Sequence, residues 1–235
     1  MPYRRLPNTD SARIRALDAA IETEYIFPVG ELALSYRIIN EAKSFVEEFR
    51  RIHTFYQQSF AEQVKASRKF QEQTRMARMY ISHFIQVLNL AAIRKEVKPE
   101  QKRLYGLDPY NHTVPDLTNE NALLEWGEKI IRGENERIRQ GGLPIYNPTI
   151  AKIKVHYEIF KESFTNQKIL RQNTDGYQRQ LVQLRKKADE IILEIWNQAE
   201  KKFQEMETEK RIENCKKYGI VYYNRRSEKL PQPND

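Results

Sequence analysis

Ile150-Ala-Lys-Ile-Lys-Val-His-Tyr-Glu-Ile-Phe-Lys-Glu-Ser-Phe164 is the stretch on which the fold turns. Ile150, Ile153, Tyr157, Phe160 and Phe164 follow one another at alternating steps of three and four residues. That spacing lines side chains along one stripe of an α-helix and suits packing against a second helix. Just upstream, Asn147 suits an N-cap and Pro148 a first helical position, where a fixed φ helps and a missing N–H costs nothing. A helix is therefore expected from Thr149. Asn173-Thr174-Asp175-Gly176 reads as a turn, because each residue type favours non-helical backbone. Tyr177, Leu181, Leu184, Ala188, Ile191 and Ile195 resume the alternation beyond it, and Ala199, Phe203 and Met206 continue it. A helical hairpin is the simplest reading.

The first half of the chain has the same order of signals. Leu6-Pro7-Asn8-Thr9-Asp10-Ser11 leads into a short helix expected over residues 12–24, and Val114-Pro115-Asp116-Leu117-Thr118-Asn119 into one over residues 120–132. Asn, Asp and Thr side chains accept from the unpaired N–H groups of a first helical turn. Ile14, Leu17, Ile21 and Tyr25 form the apolar face of the first; Leu123, Leu124, Trp126, Ile130 and Ile131 form that of the second. The proline-marked connectors Phe27 to Gly30 and Gly141 to Pro148 follow. The long stretch of the first half carries its seam at Ala42, Phe45, Phe49, Ile52 and Tyr56, then a polar zone, then dense apolar residues from Met76 to Ile93. No Gly or Pro lies between Gly30 and Pro99. The chain either turns between Gln57 and Lys69 or continues as one helix on the order of 100 Å long; the parallel with the second half favours a hairpin.

The halves also end alike, at Tyr105-Gly106-Leu107 and Tyr218-Gly219-Ile220, with a glycine suited to left-handed backbone after a helix. Matching starts, middles and ends imply a duplication. The expected fold is all-α: two tandem repeats, residues 1–110 and 111–226, each a short helix followed by a long hairpin, packed as an elongated four-helix-bundle-like core. Residues 227–235 are expected to be a disordered tail. The repeats can share one core and so form a single domain.

Composition agrees with a helical protein. Of 235 residues, 40% are hydrophobic and 31% charged, and only eight are glycine, a balance that suits neither a β-sandwich nor a disordered chain. Charge and proline interrupt Met1 to Asp10 where an export signal needs an unbroken apolar run. The most apolar window, Phe84 to Ile93, is far shorter than the ~20 residues that cross a bilayer. With a single cysteine, Cys215, these features lead to an expected cytoplasmic location and no membrane partner.

No catalytic or metal motif emerges. His53, His83, His112 and His156 never lie three or four residues apart, the spacing a helical metal site needs. Glycines are too scattered to cradle a phosphate, and no nucleophile elbow occurs. Glu47 with Glu48, and Glu190 with Glu194, read as solvated faces. No enzyme activity, cofactor or small-molecule ligand is expected.

Two features point to macromolecular partners. Residues 50–103 hold twelve Lys or Arg against four Asp or Glu, an excess equal to the chain's formal net charge of +8. Within that zone Lys65, Arg68, Lys69, Arg75 and Arg78 fall largely on one side of a helix, suiting an acidic surface or phosphates. The second feature is the segment Lys216 to Arg226, expected to be extended. Tyr222, Tyr223, Arg225 and Arg226 are its candidate docking residues, because tyrosine and arginine anchor many interfaces. The expected role is non-enzymatic binding or scaffolding through a protein partner or self-association, with nucleic acid as the alternative.

Overall fold

The structure is a computed structural model that describes residues 3–28 and 30–223. The expectations for Arg225, Arg226 and residues 227–235 lie outside the described residues. The chain is mostly helical, as its composition implies. Strand β1 (Tyr3–Arg4) precedes α1 (Asp10–Ile26), α2 (Tyr36–Ile93), a 3₁₀ helix at Pro99–Tyr105, α3 (Glu120–Arg139), α4 (Ile150–Lys202), α5 (Thr208–Lys217) and strand β2 (Tyr222–Tyr223). No described helix is long and apolar enough to cross a membrane.

α1 starts two residues before the expected Ala12, and α3 starts at the expected Glu120. Thr9 caps α1, its side chain accepting from the amide of Ala12, and Asn119 caps α3, accepting from the amide of Asn121. α3 runs beyond the expected stretch, to Arg139. α4 begins at Ile150, with the carbonyl of Thr149 accepting from the amide of Ile153. Tyr25 does not join the buried face of α1. It is 82% exposed, whereas Leu17 is fully buried.

The two hairpins expected from the sequence do not form. α2 is one helix of 58 residues through Gln57 to Lys69, and α4 one of 53 residues through Asn173 to Gly176. A four-helix bundle built from hairpins has no basis in these elements. The reason lies in the seam, which keeps its phase across both stretches. In α2 it continues as Tyr56, Ser59, Gln63, Ala66, Phe70, Thr74 and Ala77, and in α4 as Phe164, Gln167, Leu170, Thr174, Tyr177 and Leu181, all buried or half-buried. Small and polar residues occupy several of these positions, so the apolar signal fades while the helix persists. A glycine inside a helix costs only about 1 kcal/mol relative to alanine, too little to end a long, well-packed helix.

The described residues fall into two compact units. The first, residues 1–58 and 174–235, contains α1, the start of α2, the end of α4, α5 and the β1–β2 pair. α2 and α4 run antiparallel within it: the amide of Ser35 donates to Gln198 Oε1 at 2.9 Å, Glu41 pairs with Lys187, and the Phe55 and Tyr177 rings lie 5.8 Å apart. Leu17, Ile39, Phe49, Leu181, Trp196 and Tyr218 anchor its core. Two fork-shaped pairs hold α1 on α4. Arg185 donates twice to Asp10, each at 2.7 Å, and Arg13 twice to Asp189, at 2.8 and 3.0 Å.

Burial alone would raise the Asp10 carboxyl, but the Arg185 hydrogen bonds and charge outweigh it and hold the group below its ordinary value. A depressed folded-state value stabilises the fold above the unfolded carboxyl's pKa of about 3.9, and the benefit disappears as pH falls through the depressed value. Asp10→Asn is therefore expected to lower the urea midpoint at about pH 7 and to differ little from the parent at about pH 2. An equal deficit at both pH values would show that Asp10 acts by shape alone.

The second unit, residues 59–173, contains the rest of α2, the 3₁₀ helix, α3 and the start of α4. Phe70 sits 6.0 Å from Phe160 and 6.3 Å from Phe164 between ring centres, Gln73 meets Ser163, and Tyr80 stacks on His156 at 4.2 Å. Ile81, Phe84, Leu88, Tyr105, Leu123, Ile130 and Phe160 build its core. Glycine recurs in α3 because neighbours come close. A Cβ on Gly127 would fall 2.3 Å from the Tyr157 ring, and one on Gly133 2.6 Å from the Tyr105 ring.

Candidate functional site

Of the five basic residues singled out on α2, four are free. Lys65, Arg68, Lys69 and Arg75 are exposed and make no ion pair among the described residues. Arg78 is half-buried and occupied, its Nε donating to the carbonyl of Leu117 at 2.9 Å and its Nη2 to that of Thr118 at 3.0 Å. It braces the segment leading into α3 and leaves the basic face. Lys69 borders a shallow cavity of 370 Å³ shared with Ala66 and Gln73 of α2 and Ile159, Glu162, Ser163 and Asn166 of α4. Next to it on α4, a second depression is lined by Glu158, Lys161, Glu162, Thr165, Asn166 and Ile169, again with Ile159. Val64, Ile159 and Ile169 are 41%, 38% and 50% exposed, so this unit presents apolar side chains beside unpaired cations.

The C-terminal tyrosines have different roles. Tyr222 donates to Glu200 Oε1 at 2.9 Å, and β2 pairs antiparallel with β1, Tyr3 opposite Tyr223. The extended conformation expected for this segment is found at Tyr222–Tyr223, whereas Lys216 and Lys217 still belong to α5. Tyr222 is committed to the fold; Tyr223 is 46% exposed.

The strongest polar cluster was not visible in the sequence. Tyr105, Glu134 and Arg137 are each no more than 2% exposed. The Tyr105 hydroxyl donates to Glu134 Oε2, Arg137 Nε donates to the tyrosine oxygen at 2.8 Å, and Arg137 Nη2 donates to Glu134 Oε1 at 2.9 Å. Arg137 also donates to the carbonyl of Leu143 at 2.7 Å, and the amide of Ile145 donates to Glu134 Oε1 at 2.9 Å. Burial and the Glu134 charge push the Tyr105 hydroxyl far above its ordinary value, so it serves as a fixed donor. Every group has a partner, and the cluster ties the connector after α3 to the 3₁₀ helix. In sequence Glu134 and Arg137 look like an ordinary exposed i, i+3 pair; only the preceding Gly133, which admits the Tyr105 ring, hints otherwise. Lys102 is likewise buried, its Nζ donating to the carbonyl of Asn111 at 2.6 Å, and burial lowers its pKa.

No group of three His, Cys, Asp or Glu among the described residues is placed to hold a metal ion. Glu47 and Glu48 are exposed, and Glu194 accepts from Gln198 at 2.7 Å. Cys215 is buried, and that burial pushes its thiol up, away from the reactive thiolate.

The first unit holds one further concavity, of 480 Å³, where the amino end of α1 meets the segment after α5. Arg5, Asn8, Thr9, Arg15, Trp196 and Lys216 border it, with Leu6, Ile220, Val221 and Tyr223 as apolar wall. Its parts come from three distant stretches of chain, which no local motif records. No protein-family model matches this chain, and no curated protein or solved structure does.

Proposed function

We propose that this protein is a non-enzymatic helical binding module whose partner is an acidic, amphipathic protein segment docking on the unit formed by residues 59–173. The observation that carries this reading is the set of four unpaired cations, Lys65, Arg68, Lys69 and Arg75, beside the exposed Val64, Ile159 and Ile169. Apolar side chains supply contact area, and the unpaired charges steer and select an acidic partner. Nucleic acid is the second reading, favoured by the same cations. The exposed aromatic nearest to them along α2 is Phe60, a single ring where single-strand binding uses successive stacking platforms, which weighs against single strands.

An acidic amphipathic peptide and a duplex oligonucleotide, each titrated against the protein at low and high salt, separate the two. Changing Lys65, Lys69 and Arg75 together to Glu is expected to weaken peptide binding by at least about tenfold, and Ile159→Asp by a similar factor. Oligonucleotide binding with a steep salt dependence and no effect of Ile159→Asp would favour the nucleic-acid reading. Binding of neither would end both.

The architecture that supports this module is a duplication, with residues 1–110 and 111–226 as its copies. α1 and α3 each follow a capped proline-containing entry, α2 and α4 are the long helices, and Gly106 and Gly219 take positive φ values of 72° and 77° after Tyr105 and Tyr218. The compact units correspond in the same way. Each contains a short helix with a capped entry, the first part of its own long helix, the last part of the other long helix, and a Tyr-Gly segment, and the first unit adds α5.

A further inference from the structure

We infer that the basic, apolar face of the 59–173 unit binds a second copy of this chain, through the acidic, aromatic end of α1 in that copy. This rests on the reading of that face given above and names its acidic amphipathic partner.

The two charges are already separated in the sequence. Residues 16–36 hold Asp18, Glu22, Glu24 and Glu31 and no Lys or Arg, whereas residues 50–103 carry the excess of +8. Asp18 is occupied by Arg50 and Glu24 by Lys43. Glu22 and Glu31 are exposed and make no ion pair among the described residues. Glu22, Tyr25 and Ile26 stand at i, i+3 and i+4 near the end of α1, so they share one side of it. Tyr25 is 82% exposed, more than any other large hydrophobic side chain among the described residues, and Ile26 is 59% exposed. Two neighbouring large apolar side chains held in water gain from an apolar surface that covers them.

The basic face supplies that surface. Lys65 and Lys69, one turn apart on α2, are exposed and unpaired, and Lys69 lines the 370 Å³ cavity shared by α2 and α4. Ala66 and Ile159 give the cavity apolar wall for the Tyr25 ring, and Gln73, Asn166 and Glu162 offer acceptors for its hydroxyl. Glu22, less than one turn from Tyr25, would then meet Lys65 and Lys69. Basic face against basic face would repel, so the pairing joins unlike surfaces. A second stretch, residues 104–128, also lacks Lys and Arg. It exposes one large hydrophobic, Tyr110, and its Asp108 and Asp116 close local turns by accepting from the amides of Tyr110 and Thr118. The end of α1 is therefore the better match.

Sedimentation equilibrium of the full chain tests the inference. Self-association is expected at low salt with a Kd of about 100 μM or tighter, weakening at least about tenfold in about 0.5 M NaCl. Lys65→Glu with Lys69→Glu, and separately Glu22→Lys with Glu31→Lys, should each weaken it at least about tenfold. Tyr25→Ala should weaken it severalfold. All five positions are exposed, and an unchanged far-UV circular dichroism spectrum verifies the fold of each variant. Mixing the two charge variants should restore association to within about threefold of the parent, because the acidic end of one then meets the basic face of the other. Association undiminished in the charge variants, or a mixture that stays monomeric, overturns the inference. A chain that is monomeric at about 500 μM and low salt but still binds an acidic amphipathic peptide overturns this inference alone; a chain that binds neither overturns the proposed function with it.

Discussion

Replacing Glu134 by alanine is expected to lower stability by about 3–5 kcal/mol, because it strands the Arg137 guanidinium in a site from which water is excluded. Glu134 is fully buried and Arg137 is 2% exposed. Arg137 would keep the Tyr105 oxygen and the Leu143 carbonyl but lose its counter-charge, and the Tyr105 hydroxyl and Ile145 amide would lose their acceptor. Tyr105→Phe leaves the ion pair in place and should cost only about 1–3 kcal/mol. Replacing the pair together, as Glu134→Leu with Arg137→Met, should recover much of the single-variant loss, since apolar side chains of similar volume often substitute for a buried pair. Urea midpoints at neutral pH measure all three. A loss below about 1 kcal/mol for Glu134→Ala would mean that water reaches the pair.

Gly176 is expected to respond to substitution as a residue in mid-helix. Gly176→Pro removes a helical N–H and drives the ring against the carbonyl of Gln172, for a cost of about 3 kcal/mol or more. Gly176→Ala should instead stabilise the protein by about 0.5–1 kcal/mol, because alanine loses less backbone freedom on folding. A methyl group there meets nothing within 4 Å, and the φ of this glycine is not positive. In a turn with left-handed backbone at this position the signs would reverse: alanine would destabilise the chain and proline in the vicinity would be tolerated.

Local chemistry was legible in the sequence, and long-range composition was not. The capping residue types ahead of the two short helices, of which Thr9 and Asn119 serve as caps, and the left-handed glycines at 106 and 219 depend on a few adjacent residues, and each is found. The seam from Ile150 to Phe164 was legible for the same reason. The turns expected at residues 57–69 and 173–176 are absent because the phase of the seam outweighs the turn preference of the residue types there. Ser59, Gln63, Gln167 and Thr174 hold seam positions with side chains that resemble a loop. The basic face was legible except for Arg78, whose two carbonyl acceptors lie about forty residues away in sequence. The cluster of Tyr105, Glu134 and Arg137 and the cavity beside Trp196 were illegible, since both assemble from segments that only the fold brings together.

The central claim is that α2 and α4 are each a single helix, and the backbone chemical shifts and amide exchange rates of residues 57–69 and 173–176 test it most directly. Unbroken helical Cα shifts through both stretches, with amides slowed by their hydrogen bonds, are the expected result. A run of coil-like shifts with rapidly exchanging amides in either stretch would contradict it, and would restore the hairpin.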